Sequence, residues 1–151
     1  MRLSSVVLSL VLSTPVVAEE VSVRFGSLDI ADRIGESGYR FTFQEELERV
    51  PLQTLSEGGA YGIEYSAPEG HSYTVQVTAT LPSGTEPGYG DIDAVSVTAE
   101  STIMIFEEHS FSGTAVEPFL FSKSDPPGTY ALTVTVNGTV HTTIEYEAYV
   151  P

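Results

Sequence analysis

The stretch YALTVTVNGTVHTTIEY, residues 130–146, decides the fold class of this chain. Apolar and polar residues alternate through its first half and again through its second half, and the pair Asn137-Gly138 separates the two runs. A period of two is typical of strands with one buried face, and an Asn-Gly pair between such runs is a strong signal for a tight hairpin. The stretch therefore predicts two antiparallel strands that share an apolar face.

The register of this hairpin can be predicted from the same alternation. A two-residue loop pairs Val136 with Thr139 and sets the apolar residues of one strand opposite the polar residues of the other. A three-residue loop instead aligns the apolar sets, with the pairs Val134–Val140, Leu132–Thr142 and Tyr130–Ile144. We therefore expect a three-residue turn with Gly138 at positive φ and a bulge beside it.

Similar alternation recurs upstream, in runs that begin near Val21, Tyr39, Tyr61, Tyr73, Val95 and Thr102, and between residues 111 and 121. Turn-forming segments rich in Gly and Pro separate these runs. Residues 44–55 have some helical spacing, but Pro51 limits them to a single turn. About eight or nine short strands separated by turns indicate an all-β, antiparallel β-sandwich.

The residues that lead into the last hairpin resemble the tyrosine corner of immunoglobulin-like domains. In those domains a Gly-x-Tyr-x-Cys run opens strand F, and the tyrosine hydroxyl bonds to the backbone just upstream. Here the run is Gly128-x-Tyr130-x-Leu132, with Phe119 and Phe121 expected on the preceding strand. The resemblance implies an immunoglobulin-like sandwich, in a chain that has neither the disulfide nor the tryptophan of antibody domains.

The chain also resembles a family of short secreted proteobacterial proteins known only as a domain of unknown function. The likeness lies in Phe25-Gly26 and in the Pro-Gly-Thr-Tyr strand that ends at Asn137-Gly138. It implies a bacterial, secreted protein with an immunoglobulin-like fold, and it carries over no catalytic residues.

The first 18 residues have the three parts of a secretory signal peptide. Arg2 supplies the positive start, residues 6–12 are a short apolar run, and Val16-Val17-Ala18 is a suitable cleavage site. The apolar run is shorter than the roughly 20 residues that span a bilayer. We expect cleavage between Ala18 and Glu19, a periplasmic or secreted product, one domain over 19–151, and no membrane anchor in the mature chain.

Charge and cysteine content limit the function. The chain has 6 Lys+Arg against 21 Asp+Glu, a formal net charge of −15, and no cysteine. Nucleic acids and anionic membranes are bound by cationic patches, so neither is an expected partner. Without cysteine, a disulfide scaffold, a thiolate metal site and a cysteine nucleophile are all excluded.

The residues that carry acid–base or metal chemistry form no recognisable motif. His71, His109 and His141 lie in no nucleophile or zinc signature, so the sequence predicts no catalytic residue and no cofactor. Asp91 and Asp93 lie two apart in the irregular segment 82–93, where extended carboxylates could bind calcium. No full calcium-loop pattern is present, so we favour a solvated acidic loop over a calcium site. Together with Tyr89 they form the candidate binding loop.

The preferred interpretation is a non-catalytic binding or accessory module for a protein or small ligand. The aromatic total, eight Tyr and seven Phe, is compatible with carbohydrate binding, but the inward phase of most of these residues favours the core. Two alternatives stay open: a small hydrolase or metal-dependent enzyme with a site built across loops, and a structural subunit that assembles by sheet edges. A buried polar constellation or deep pocket favours the enzyme, and a long unpaired hydrophobic edge favours the subunit.

Overall fold

The computed structural model describes residues 20–34, 38–85 and 92–151, with only the backbone of 32–34. These residues form eleven strands and one 3₁₀ turn, Leu55–Glu57. The signal peptide predicted for residues 1–18 lies outside the described residues. No helix within the described ranges is long and apolar enough to cross a membrane.

The strands form two sheets that face each other as a β-sandwich, which confirms the predicted all-β class. Eleven strands exceed the eight or nine expected, because several are very short. In chain order they are β1 (Ser22–Ile34), β2 (Gly38–Glu46), β3 (Arg49–Pro51), β4 (Tyr61–Ser66), β5 (Tyr73–Pro82), β6 (Ile92–Val97), β7 (Ser101–Phe106), β8 (His109–Phe111), β9 (Thr114–Pro118), β10 (Gly128–Val136) and β11 (Thr139–Tyr149).

The sheet order is immunoglobulin-like. The smaller sheet runs β2-β1-β4-β9 and the larger sheet runs β3-β11-β10-β5-β7-β6, with β8 on a free part of β5. Strands β1, β4 and β9 take the places of A, B and E, while β5, β10 and β11 take those of C, F and G. All pairs are antiparallel except β3 with β11, which is parallel. This one pair departs from the fully antiparallel sandwich that the sequence predicts.

The core lies between the sheets and is rich in aromatic rings. Phe25 of the smaller sheet stacks on Tyr146 of the larger sheet with 4.1 Å between ring centroids, and Tyr146 stacks on Tyr130 at 5.5 Å. Leu132 is only 1% exposed. Burial of each large apolar side chain contributes about 1.5–3 kcal/mol, so this alternating set accounts for much of the folding energy.

The predicted tyrosine corner is present. The Tyr130 hydroxyl donates to the carbonyl oxygen of Pro126 at 2.6 Å, four residues upstream. Gly128 opens β10 with φ of 142°, a conformation that favours glycine. The strand predicted around Phe119 and Phe121 is shorter than expected, because β9 ends at Pro118 and Phe121 forms only an isolated bridge with Thr54.

The turn of the last hairpin differs from the prediction. The structure pairs Val136 with Thr139 across a two-residue turn, so the expected three-residue turn is wrong. Asn137 and Gly138 have φ of 48° and 79°, which confirms the positive φ of Gly138. Two residues at positive φ are typical of a type I′ turn, which matches the right-handed twist of the flanking strands.

A bulge inside β11 brings the apolar residues of β10 and β11 to the same face, which the two-residue turn alone would not do. His141 is the extra residue, and it is half-buried. Beyond the bulge the pairs are Val134–Thr142, Leu132–Ile144 and Tyr130–Tyr146. The apolar sets therefore face the same side, as predicted, through a register different from the predicted one.

Two further segments differ from their predictions. Within the segment 44–55, where a helical turn was expected, residues 44–46 and 49–51 lie in strands, and the 3₁₀ turn begins only at Leu55. The irregular segment expected over 82–93 is shorter, because β5 extends to Pro82 and β6 begins at Ile92.

Candidate functional site

Only one of the three predicted loop residues can be located. Tyr89 and Asp91 lie outside the described residues, while Asp93 is exposed and lies in β6 rather than in a loop. Ile92 pairs with Phe106 and Ala94 with Ile105, so Asp93 is the extra residue of a bulge. In the part of the chain that the structure describes, no group of three or more His, Asp or Glu side chains is placed to hold a metal ion.

The outer face of the smaller sheet, which points away from the larger sheet, is concave. Gly26 and Gly62 pair directly at its centre. A Cβ on Gly26 would overlap the carbonyl oxygen of Glu45 in β2, and one on Gly62 would overlap that of Glu117 in β9. The two glycines let the edge strands β2 and β9 curl over this face until their Cα atoms approach within 8 Å.

Aromatic side chains of β2 line the concave face. A cavity of about 550 Å³ lies against β2, β4 and β9, and we call it the aromatic groove; its main lining residues are Tyr39, Phe41, Phe43, Glu64, Val116 and Pro118. The alternation of Tyr39, Phe41 and Phe43 had indicated core residues, and that interpretation is wrong. None of the three is buried, and Tyr39 is 43% exposed.

An ion pair fixes the middle of the aromatic groove. The Arg24 guanidinium lies 2.6 Å from a carboxylate oxygen of Glu64, and its Nε donates to the same oxygen at 2.8 Å. The same guanidinium lies 4.1 Å from the ring centroid of Phe43. This contact covers one face of Phe43. Tyr39 and Phe41, with centroids 6.2 Å apart, are the rings that can receive a ligand.

A second hollow adjoins the aromatic groove at Tyr39. It has a volume of about 720 Å³, and its apolar lining includes Ile30, Leu55 and Leu120. Lys123, the single lysine of the chain, lies at its margin. Tyr39 lines both hollows, so one ring borders two cavities whose linings include apolar groups, hydroxyl groups and the cations Lys123 and Arg40.

A carboxyl group lies between the sheets at the opposite side of β9. The hydroxyl of Tyr65 donates to Glu117 Oε2 at 2.5 Å, and His109 Nε2 lies 3.8 Å from the same oxygen. Tyr65 is fully buried, and the Glu117 side chain is 18% exposed. A cavity of about 290 Å³ between β8 and β9 gives solvent access to this group.

Burial sets the proton affinity of this cluster. It raises the pKa of the Glu117 carboxyl above its ordinary value of 4.5, while the hydrogen bond from Tyr65 and the nearby His109 oppose the change. Burial also raises the pKa of the Tyr65 phenol, and the negative charge of Glu117 adds to that effect. Tyr65 therefore stays a proton donor to Glu117, and the Glu117 carboxyl keeps its proton to a higher pH than an exposed glutamate does.

Two sequence signals could have located these features. Gly26 and Gly62 interrupt alternating runs, and a glycine inside a strand indicates a close approach of backbones. Glu117 shares the phase of Ala115 and Phe119, so a carboxylate stands where the alternation predicts an inward side chain. Neither signal reveals which strands pair, so the groove itself required the structure.

Comparisons with known proteins add little. No protein-family model matches the sequence, and a search of curated proteins finds no match. A β-glucosidase from Listeria innocua in complex with glucose is 12% identical over 87% of this chain, with a TM-score of 0.42. An alkylpurine DNA glycosylase from Pseudomonas fluorescens, bound to DNA with an abasic-site analogue, is 14% identical over 85% of this chain, with a TM-score of 0.36. The chain spans 16% and 30% of those two chains, and likenesses at this level assign no function.

Proposed function

We propose that this protein is an exported, non-catalytic binding module that holds an uncharged saccharide in the aromatic groove. The observation that carries the proposal is the placement of Tyr39 and Phe41 outside the core, on a concave face. Exposed aromatic rings on a concave surface are suited to ligand binding, because they offer large rigid contact areas that lose little entropy. Export follows from the signal peptide predicted for residues 1–18.

The ligand class follows from charge and from the groups around the rings. A net charge of −15 disfavours anionic ligands, even though Arg40 lines the groove. The Arg24 guanidinium, which lies against Phe43, is already paired with Glu64. The C–H face of a neutral sugar can stack on Tyr39 and Phe41, and its hydroxyl groups can bond to Glu64 and Thr114 at the margin. This combination of apolar faces with a few polar groups is typical of small-ligand sites.

Retention on immobilised neutral polysaccharides tests the proposal. A β-glucan, a mannan and a xylan serve as probes, and the variants are Tyr39→Ala and Phe41→Ala, with Tyr39→Phe to keep the ring. Gln44→Ala is the matched control, because Gln44 is exposed on the same strand but does not line the groove. We expect both alanine variants to lose at least tenfold in affinity, while Tyr39→Phe and Gln44→Ala keep most of it.

Two outcomes would contradict this function. If the wild-type protein is retained by none of the three polysaccharides, the saccharide class is wrong. If Gln44→Ala loses as much affinity as Phe41→Ala, the groove is not the binding surface. Cooperative unfolding of all four variants, with a loss of about 1 kcal/mol or less in the free energy of unfolding, is needed to show that the fold is intact, as expected for side chains outside the core.

A second candidate function, a small hydrolase, is favoured by the buried Tyr65–Glu117 pair. A carboxyl with a raised pKa beside a solvent-accessible cavity is a suitable general acid. The test is hydrolysis of the same three polysaccharides by the wild-type protein and Glu117→Gln. Sugar release that Glu117→Gln abolishes would establish an enzyme, and binding without release would favour the module.

A further inference from the structure

Exposed sheet edges carry unpaired N–H and C=O groups that can pair with another strand. Proteins protect such edges with short strands, charges, prolines or bulges. Here β3 and β8 have only three residues each. Edge strand β2 carries the charged residues Arg40, Glu45 and Glu46. Edge strand β9 carries Glu117 and Pro118. The part of β11 that does not pair with β3 carries the bulged His141 and the charged Glu145.

Strand β6 carries such protection only at its start, where the charged Asp93 forms a bulge. It ends the larger sheet and, among the described strands, pairs only with β7. After the bulge at Asp93, residues 94–99 read Ala-Val-Ser-Val-Thr-Ala, without a charge or a proline, and all are exposed. Val95 is 43% exposed and Val97 is 70% exposed.

The two valines lie on the core side of the larger sheet but beyond the reach of the smaller one. Val95 pairs with Met104 and Val97 with Thr102, and both partners in β7 are buried. Directly opposed residues share a face, so the valines point toward the side that the smaller sheet covers elsewhere. The larger sheet has seven strands and the smaller four, so β6 overhangs and its valines stay uncovered.

We propose that β6 pairs antiparallel with β6 of a second copy of this chain, about a twofold axis at Ser96. This register places Val95 opposite Val97 of the second copy, and Val97 opposite its Val95. The pairing satisfies the free backbone groups of both edges and covers both valines. A twofold axis needs one self-complementary segment, which residues 94–98 provide.

The lack of charge in residues 94–99 gives a charged partner strand no ion pair to form, whereas a second copy of the same segment needs none. Two chains with a net charge of −15 repel each other, and an uncharged edge is where they can meet with the least repulsion. One strand pair buries less than the roughly 1,200 Å² of a stable interface, so the dimer should be weak. Salt screens the repulsion, so dimerisation should strengthen as ionic strength rises.

Sedimentation velocity over a range of protein and NaCl concentrations tests the dimer. The variants are Val95→Lys and Val97→Lys, and the matched control is Val150→Lys, because Val150 is also 70% exposed but lies in no strand. All three substitutions replace a neutral valine with a lysine, so each makes the net charge less negative by the same amount. We expect the two edge variants to weaken dimerisation at least tenfold and the control to leave it unchanged or slightly stronger.

A cysteine placed at the twofold axis tests the register. The chain has no cysteine, so Ser96→Cys introduces a single thiol, with Glu100→Cys beyond the axis as its control. Mild oxidation should cross-link Ser96→Cys much faster than Glu100→Cys. A wild-type chain that stays monomeric in all conditions overturns the proposal, as does equal weakening by Val150→Lys or equal cross-linking of both cysteine variants.

Discussion

The first and last hairpins of the chain look alike in sequence but differ in what they bury. In β10, Tyr130, Leu132, Val134 and Val136 are at most 2% exposed, whereas in β2 the corresponding alternation leaves Tyr39 exposed and Phe41 and Phe43 only half-buried. Both strands alternate with a period of two. The difference is that β10 is central in its sheet and faces the other sheet, while β2 is an edge whose aromatic face turns outward. Alternation therefore shows that one face is apolar, but not what covers it.

The largest expected effect comes from comparing the truncation of one side chain in each hairpin. Leu132→Ala should lower the free energy of unfolding by about 2–5 kcal/mol, because it opens a cavity in the core. Phe41→Ala should lower it by about 1 kcal/mol or less, since Phe41 lies outside the core cluster. Urea denaturation measures both. Equal losses would mean that the first hairpin is as much a part of the core as the last.

A second test addresses the curvature of the smaller sheet. Gly62→Ala should cost about 1–3 kcal/mol, because the new methyl group meets the β9 backbone and lies 2.9 Å from Leu28 Cδ1. It should also weaken any ligand of the aromatic groove, since β9 must move outward. Ser66→Ala, on the same face of β4, is the control and should change neither quantity. A Gly62→Ala protein with wild-type stability would show that the close approach is not required.

The sequence predicts the larger sheet better than the smaller one, for a physical reason. Tyr130 and Gly128 form a local motif whose geometry is set within a few residues, so the corner could be predicted. The aromatic groove depends on which strands flank Gly26 and Gly62, and that is settled by pairing between distant segments. The predicted register of the last hairpin is wrong, although its apolar residues do share one face as predicted. The register shift lies at His141 within β11 and not in the turn.

A third test concerns the turn of the last hairpin. Gly138→Val should cost roughly 1 kcal/mol, because a β-branched residue resists positive φ. A Cβ at Gly138 meets nothing within 4 Å, so the cost is conformational and not steric contact with neighbours. Thr139→Val, at the next position, is the control and should leave the melting temperature nearly unchanged. Equal melting temperatures for both variants and the wild-type protein would contradict the type I′ turn.

The smallest expected effect comes from comparing the hydrogen bonds of two buried tyrosines, Tyr130 in the larger sheet and Tyr65 in the smaller one. Tyr130 donates to a backbone carbonyl, and burial raises its pKa to about 12, so neither partner titrates near neutral pH. Tyr130→Phe should therefore cost about 0.5–1.5 kcal/mol at every pH between about 4 and 9. Tyr65 donates to Glu117, a carboxyl whose pKa burial raises above 4.5.

The sign of the Glu117 effect follows from its raised pKa. Below pH 4.5, the ordinary value for this group, the carboxyl is protonated in both the folded and the unfolded chain. As the pH rises past 4.5 the unfolded chain loses this proton first, so the stability contributed by the buried acid declines until the folded pKa is passed. Glu117→Gln keeps a hydrogen-bond acceptor for Tyr65 but cannot ionise. Its stability relative to the wild-type protein should therefore rise with pH above 4.5 and then level off, as measured by urea denaturation across that range. A difference that is flat with pH would mean that Glu117 is solvated as freely as an acid on the surface, and a difference that falls would mean that folding lowers its pKa.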